Sequence, residues 1–231
     1  MERRTSVRTA VVWDAVQQAL AAKSGANIVD LGGGTGGFAV RLAELGHHVT
    51  VIDPSPDALA ALSRRAQENN VSVAALQGDL DNFAALVAPA SYDLVLCHGV
   101  LGIVPDPAAG VRALAQALVE GGSLSLLVGQ RHAAVIARAM TGHLGQARAL
   151  LEGADDSGEH RFSADEMHAL VAPHLSSWEL HAVRVSTDLV PGALQELESG
   201  ASAALLELER AVATRPEYLS VATQLHVIGT R

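Results

Sequence analysis

The sequence predicts an α/β fold, a Rossmann-like and mostly parallel sheet covered by helices on both faces. Three observations predict it. Short apolar stretches of strand length alternate with helical stretches through the first 130 residues. The first of these stretches runs into a turn holding five glycines, Gly32, Gly33, Gly34, Gly36 and Gly37, and a helical pattern follows at once. The early strands also end on acidic or polar residues, the side of an open parallel sheet where ligands bind.

Val7 to Lys23 reads as an amphipathic helix, with Val11, Val12, Val16 and Leu20 near helical spacing. Ile28, Val29 and Leu31 form the first strand, and a helix after the glycines extends to about Gly46. His48 to Asp53 alternates and ends on an acid, a second strand. Ser55-Pro56 opens the next helix, with serine as N-cap and proline at the first helical position; the helix stops at Asn69-Asn70. Val71 to Leu76 is the third strand, closing on Gln77-Gly78-Asp79-Leu80-Asp81. Phe83 to Val87 suits a short helix, and Tyr92 to Cys97 a buried fourth strand ending at His98. Val111 to Val119 is helical, and Ser123 to Val128 is the fifth strand.

In the second half, His132 to Leu151 reads as one long helix and Glu152 to Glu159 as an acidic loop. Ser163-Ala-Asp-Glu166 is a capping box opening a short helix. Trp178 to Val185 and Val221 to Ile228 read as strands, with a Leu- and Glu-rich helix from Pro191 to about Val212 between them. The reading is one domain over residues 1–231: a cofactor-binding half, 1–130, and a half of substrate-facing helices and final strands, 131–231.

Composition narrows the function. The single cysteine, Cys97, rules out a disulfide framework and fits a reducing cytoplasm. No apolar run approaches the ~18–20 residues that span a bilayer, so no membrane partner is expected. The ten histidines are scattered without ligand spacing, and no metal is expected. The net charge is −9, which makes the chain a poor general binder of polyanions. Oligomeric state is not legible.

Gly32, Gly34 and Gly37 satisfy the G-x-G-x-x-G spacing of dinucleotide sites, a weak signal alone. Asp53, 21 residues after Gly32, suits the hydroxyls of a ribose in either NAD or S-adenosylmethionine. Asp30 separates the two: a negative charge near the loop opposes a pyrophosphate but favours the ammonium and sulfonium of S-adenosylmethionine. Asp79 and Asp81, after the third strand, are placed to meet an adenine amino group.

The series Val29-Asp-Leu-Gly-Gly-Gly-Thr-Gly36, Asp53, Gly78-Asp79 and Tyr92 to His98 resembles the successive motifs of class I S-adenosylmethionine-dependent methyltransferases. That resemblance implies a seven-stranded sheet with an antiparallel last strand. A narrower resemblance, to the bacterial tRNA 5-carboxymethoxyuridine methyltransferases, runs through Arg8, Trp13, His98-Gly-Val-Leu101, Ser123-Leu-Ser-Leu-Leu127, His132, Met140-Thr-Gly142, Val183-Arg-Val185, Leu205 to Glu209, Pro216-Glu-Tyr218 and His226-Val227. It implies that Arg8, Gly32, Gly33, Asp53, Leu80, Asp81 and His98 line the cofactor, and that a carboxylate on modified tRNA accepts the methyl group. Those enzymes carry a basic insert where this chain has Glu152-Gly-Ala-Asp-Asp-Ser-Gly-Glu159. A small-molecule acceptor is the alternative, as is a cofactor-binding module without catalysis.

The expected cofactor-binding set is therefore Arg8, Asp30, Gly32, Gly33, Gly34, Asp53, Asp79, Leu80, Asp81 and His98. Arg131, His132 and Arg184 are candidates for the substrate. A carboxylate acceptor needs no base; a phenol or amine would call on His98 or His132.

Overall fold

A computed structural model describes residues 7–153, 158–190 and 200–231. Seven strands form one sheet: β1 (Asn27–Leu31), β2 (His48–Asp53), β3 (Ala74–Gln77), β4 (Tyr92–His98), β5 (Leu118–Gly129), β6 (Ser177–Val183) and β7 (Gln224–Thr230). Their order is β3-β2-β1-β4-β5-β7-β6. The first five are mutually parallel, and β7 runs antiparallel between β5 and β6. This is the expected seven-stranded sheet with its antiparallel last strand.

The described helices are α1 (Ala10–Leu20), α2 (Ala39–Glu44), α3 (Pro56–Glu68), α4 (Phe83–Leu86), α5 (Pro107–Ala117), α6 (Arg131–Met140), α7 (Leu144–Leu151), α8 (Ala164–Val171), α9 (Ala201–Ala213) and α10 (Pro216–Leu219). Two helix starts follow their sequence signals closely. Ser55 Oγ accepts from the Ala58 N–H, with Pro56 in the first turn. Ser163 and Glu166 close both arms of the capping box.

The sheet separates two apolar layers. One packs Val95, Cys97, Leu124 and Leu126 against α5 and α8 through Val111, Leu114, Met167 and Val171. The other packs Ile28, Leu94 and Leu96 against Val12, Trp13 and Val16 of α1 and Val40 and Leu42 of α2. Strands buried on both faces read as continuous apolar runs, which is why β4 was legible as Tyr92 to Cys97.

Several boundaries differ from the sequence reading. The long helix expected from His132 to Leu151 is two helices, broken at Thr141-Gly142-His143, where Gly142 takes φ +78° and the Thr141 hydroxyl donates to the Ala137 and Arg138 carbonyls. Helix propensity of the Ala-rich stretch concealed a glycine stop. The fifth strand begins at Leu118 rather than Ser123, with its register to β4 shifting between Tyr92 and Leu94. The terminal strand lies three residues later at its start than expected, and β6 ends at Val183. The helix expected from Pro191 falls partly outside the described residues, as does the centre of the acidic loop; the described part of the former is α9.

Candidate functional site

Strand register builds the site. Leu31 pairs with Ile52 on one side and Cys97 on the other, so Gly32, Asp53 and His98 come abreast at the carboxyl edge of the sheet. Asp53 in turn pairs with Gln77, which places Gly78 to Asp81 beside it. The strand order reverses between β1 and β4, and a crevice at such a switch point is where open α/β sheets take ligands.

A cavity of about 420 Å³ opens there. Leu31, Gly32, Asp53, Asp79, Leu80, Asp81 and His98 line it, and Val100, Ile103, Val104 and Pro105 close its other wall. Gly32 sits at φ +74°, and a Cβ there would run into the Val100 side chain. Only glycine serves both needs. Gly34 takes φ +55° and its N–H donates to Asp53 Oδ2 at 2.9 Å, while the Ser55 N–H donates to Asp53 Oδ1 at 2.9 Å. A carboxylate oxygen has two lone pairs and each here accepts one hydrogen bond from the loop, so Asp53 is held in place and still has lone pairs for a ligand.

Asp30 lies behind the loop rather than in the cavity wall. A Cβ on Gly33 would stand 2.6 Å from Asp30 Oδ2, so Gly33 leaves room for that carboxyl. Burial, and after it the charge of Asp53, raises the Asp30 carboxyl from 3.8 to about 7. Burial likewise lifts the Cys97 thiol to about 12, which leaves it an inert core residue. Asp79 is a turn cap: its Oδ1 accepts from the N–H groups of Asp81 and Asn82. Leu80 is buried under the cavity floor, and Asp81 is exposed at the rim.

His98 forms the wall opposite Asp53. Burial lowers its imidazole to about 4, so the ring is neutral near pH 7. Its Nε2 faces Ser125 Oγ at 2.9 Å, and Phe38 meets the ring edge-on at 5.1 Å between centroids. Trp13 packs on Phe38, and the Arg41 guanidinium lies over Trp13 at 3.6 Å.

The remaining candidates lie elsewhere. Arg8 is exposed, 3.6 Å from Asp188. Arg184 is not in a strand interior: it follows β6 at φ +60°, and its guanidinium pairs with Asp188 at 2.7 Å. Arg131 donates to both oxygens of Glu166 at 2.6 and 2.8 Å and to the Arg161 carbonyl, tying α6 to α8. Its Nε and Nη2 donors are thus engaged within the fold. His132 is exposed on α6.

Sequence reading missed Val100, Ile103 and Pro105, because a loop wall has no periodicity. It also missed Ser125, His181 and His226 as a connected group, although polar residues at the centre of apolar strands are a signal in themselves. No group of three or more His, Cys, Asp or Glu among the described residues is arranged to hold a metal. No described helix is long and apolar enough to cross a membrane.

Residues 28–122 match the family model described as a methyltransferase domain. The ubiquinone biosynthesis O-methyltransferase of Xanthomonas campestris pv. campestris (strain B100) is 36% identical over 129 residues, covering 56% of this chain and 54% of the relative. The chain thus spans about half the length of the curated relatives it matches. A possible histamine N-methyltransferase from Thermotoga maritima superposes with a TM-score of 0.62 at 18% identity, over 97% of this chain and 90% of that one. The magnesium protoporphyrin IX methyltransferase of Synechocystis PCC 6803 gives 0.63 at 15% identity, over 97% and 84%. These structures share the fold.

The comparisons agree with the methyltransferase class and the S-adenosylmethionine cofactor read from the motifs. They overturn the narrower resemblance. The curated relatives that the chain matches at 35–36% identity are ubiquinone biosynthesis O-methyltransferases rather than tRNA 5-carboxymethoxyuridine methyltransferases, and neither a modified tRNA nor its carboxylate stands as the acceptor. The shared site motifs belong to the cofactor half, and carry no information on which acceptor lies above it.

Proposed function

We propose that this chain is an S-adenosylmethionine-dependent O-methyltransferase of a small molecule bearing a hydroxyl group. The observation that carries this reading is the convergence of Gly32, Asp53, the Asp79–Asp81 turn and His98 on one cavity at the switch point of the sheet. The names of the relatives, which specify O-methylation in ubiquinone biosynthesis, support a small acceptor. The net charge of −9 is also unfavourable to a polyanionic one.

The residues fit the cofactor. The cradle at Gly32 is open only because no Cβ fills it, and Asp53 offers free lone pairs to ribose hydroxyls. Asp81 at the rim suits the adenine amino group, and Asp30 beneath the loop favours a cation above it. When bound, S-adenosylmethionine supplies an electrophilic methyl group on a sulfonium. The chain's own work is to hold the acceptor in line and keep water out, and such positioning supplies much of the rate of a displacement. A hydroxyl must also lose its proton as its oxygen becomes methylated. His98, neutral near pH 7 and standing in the cavity wall, takes that proton in this reading.

The test offers methyl-labelled S-adenosylmethionine with a small-molecule extract and, in parallel, with the macromolecular fraction. Label in the extract is expected. Label confined to macromolecules, or none in either despite binding of S-adenosylhomocysteine, would overturn the proposal.

A further inference from the structure

Behind His98 runs a row of polar side chains that cofactor binding does not use. His98 Nε2 meets Ser125 Oγ at 2.9 Å, and the same hydroxyl meets His226 Nε2 at 2.9 Å. His226 Nδ1 lies 3.1 Å from His181 Nδ1, and His181 Nε2 lies 3.5 Å from Glu179 Oε2. Ser125, His226 and His181 are buried, whereas the Glu179 side chain is 72% exposed. The row therefore begins in the cavity wall and ends in water. Register produces it: His226 pairs with Leu127 of β5 and with His181 of β6, so these groups share one face of neighbouring strands.

We propose that His98, Ser125, His226, His181 and Glu179 form a polarised relay that carries the acceptor's hydroxyl proton from the cavity to the protein surface. This deepens the O-methyltransferase reading and rests on it. The polarity follows from proton counting. A carboxylate only accepts, so His181 presents Nε2–H to Glu179 and, being neutral, an unprotonated Nδ1 to His226. His226 then donates through Nδ1–H and accepts at Nε2 from the Ser125 hydroxyl. Ser125 in turn accepts from His98 Nε2–H. His98 is left with a lone pair on Nδ1, the atom that carries no hydrogen bond among the described residues and is needed as a base.

Methylation of a neutral hydroxyl by a sulfonium releases one proton. As His98 Nδ1 takes it, the Nε2 proton passes to Ser125, whose own proton passes to His226 Nε2. The His226 Nδ1 proton moves to His181 Nδ1, and the His181 Nε2 proton reaches Glu179 and then water. No ring stays charged, which matters because burial opposes an imidazolium at all three histidines.

The test is nitrogen NMR of protein labelled with ¹⁵N at histidine and saturated with S-adenosylhomocysteine. The wild type is expected to show single tautomers: Nε2–H at His98, Nδ1–H at His226 and Nε2–H at His181. Glu179→Leu, at an exposed position, removes the anchoring acceptor and is expected to turn His98 into a mixture of tautomers. Ser125→Ala is expected to uncouple His98 from Glu179, and Ser125→Thr to restore the wild-type pattern. A His98 signal that is the same in wild type and Glu179→Leu would overturn the relay and leave the histidines as core hydrogen bonds. Failure of S-adenosylhomocysteine to bind the wild type would instead strike the cofactor reading, and the tautomers would still be readable in the free protein.

Discussion

Replacing Asp30 by Asn removes a titrating carboxyl from beneath the glycine loop while keeping the side chain's shape. In the folded chain this carboxyl is raised from 3.8 to about 7, chiefly by burial and then by Asp53. The folded state thus holds the proton more tightly than the unfolded state. On this group's account stability is greatest below about pH 4, falls as pH rises, and has lost its full share above about pH 7. A displacement of that size corresponds to at most ~4 kcal/mol. Relaxation of the loop and water penetration reduce this, and about 2 kcal/mol is the working expectation. For a chain of this length that is a Tm difference of roughly 4–8 °C. Thermal unfolding of wild type and Asp30→Asn between pH 4 and 8 reads it directly. The wild type should lose stability relative to Asn across this range, with the gap complete by pH 8. At pH 8, where the Asp30 carboxyl is ionised, Asn should bind S-adenosylmethionine more weakly, since a negative charge beneath the loop that favours the ligand's sulfonium and ammonium is what the substitution deletes. A gap that is the same at pH 5 and pH 8 would refute the reasoning, because the carboxyl would then not titrate in that window.

Gly32→Ala places a Cβ against Val100 at φ +74°; a cost of ~1–3 kcal/mol and at least a tenfold loss of S-adenosylhomocysteine affinity are expected, measured by melting and calorimetry. Glu209 is buried and accepts from the N–H groups of Val185, Ser186 and Thr187 and from the Thr187 hydroxyl. Glu209→Ala orphans those donors and should cost ~3 kcal/mol in denaturant unfolding. Arg131→Ala breaks the tie to Glu166, whose carboxyl that arginine helps to hold below its ordinary range; a loss of about 1 kcal/mol is expected, with cofactor affinity unchanged in a binding titration.

The parts of the fold that were legible are those written in consecutive residues. The glycine turn, the Ser55-Pro56 start and the Ser163–Glu166 capping box each lie within a few positions, and their hydrogen bonds form where the sequence places them. Asp53 and His98 were legible for a related reason: both end apolar strands, and parallel register alone brings strand ends together. Features that depend on distant pairing were not. The Ser125–His226 contact joins residues 101 apart and exists only through the register of β5 with β7. Arg184 looked like a strand residue because its neighbours are valines, but the backbone turns there to φ +60° and the side chain finds Asp188. The acceptor was misread for a different reason. The motifs that are legible line the cofactor cavity and lie within residues 28–122, whereas the acceptor is contacted by residues that no consecutive motif marks.

The central claim is that the crevice between β1, β2 and β4 holds S-adenosylmethionine through Asp53. Calorimetric titration of S-adenosylhomocysteine into wild type and Asp53→Ala, each checked for folding by its melting curve, tests it most directly. One site per chain is expected in the wild type, and at least a hundredfold loss in the variant. Equal affinity in the two folded proteins would contradict it.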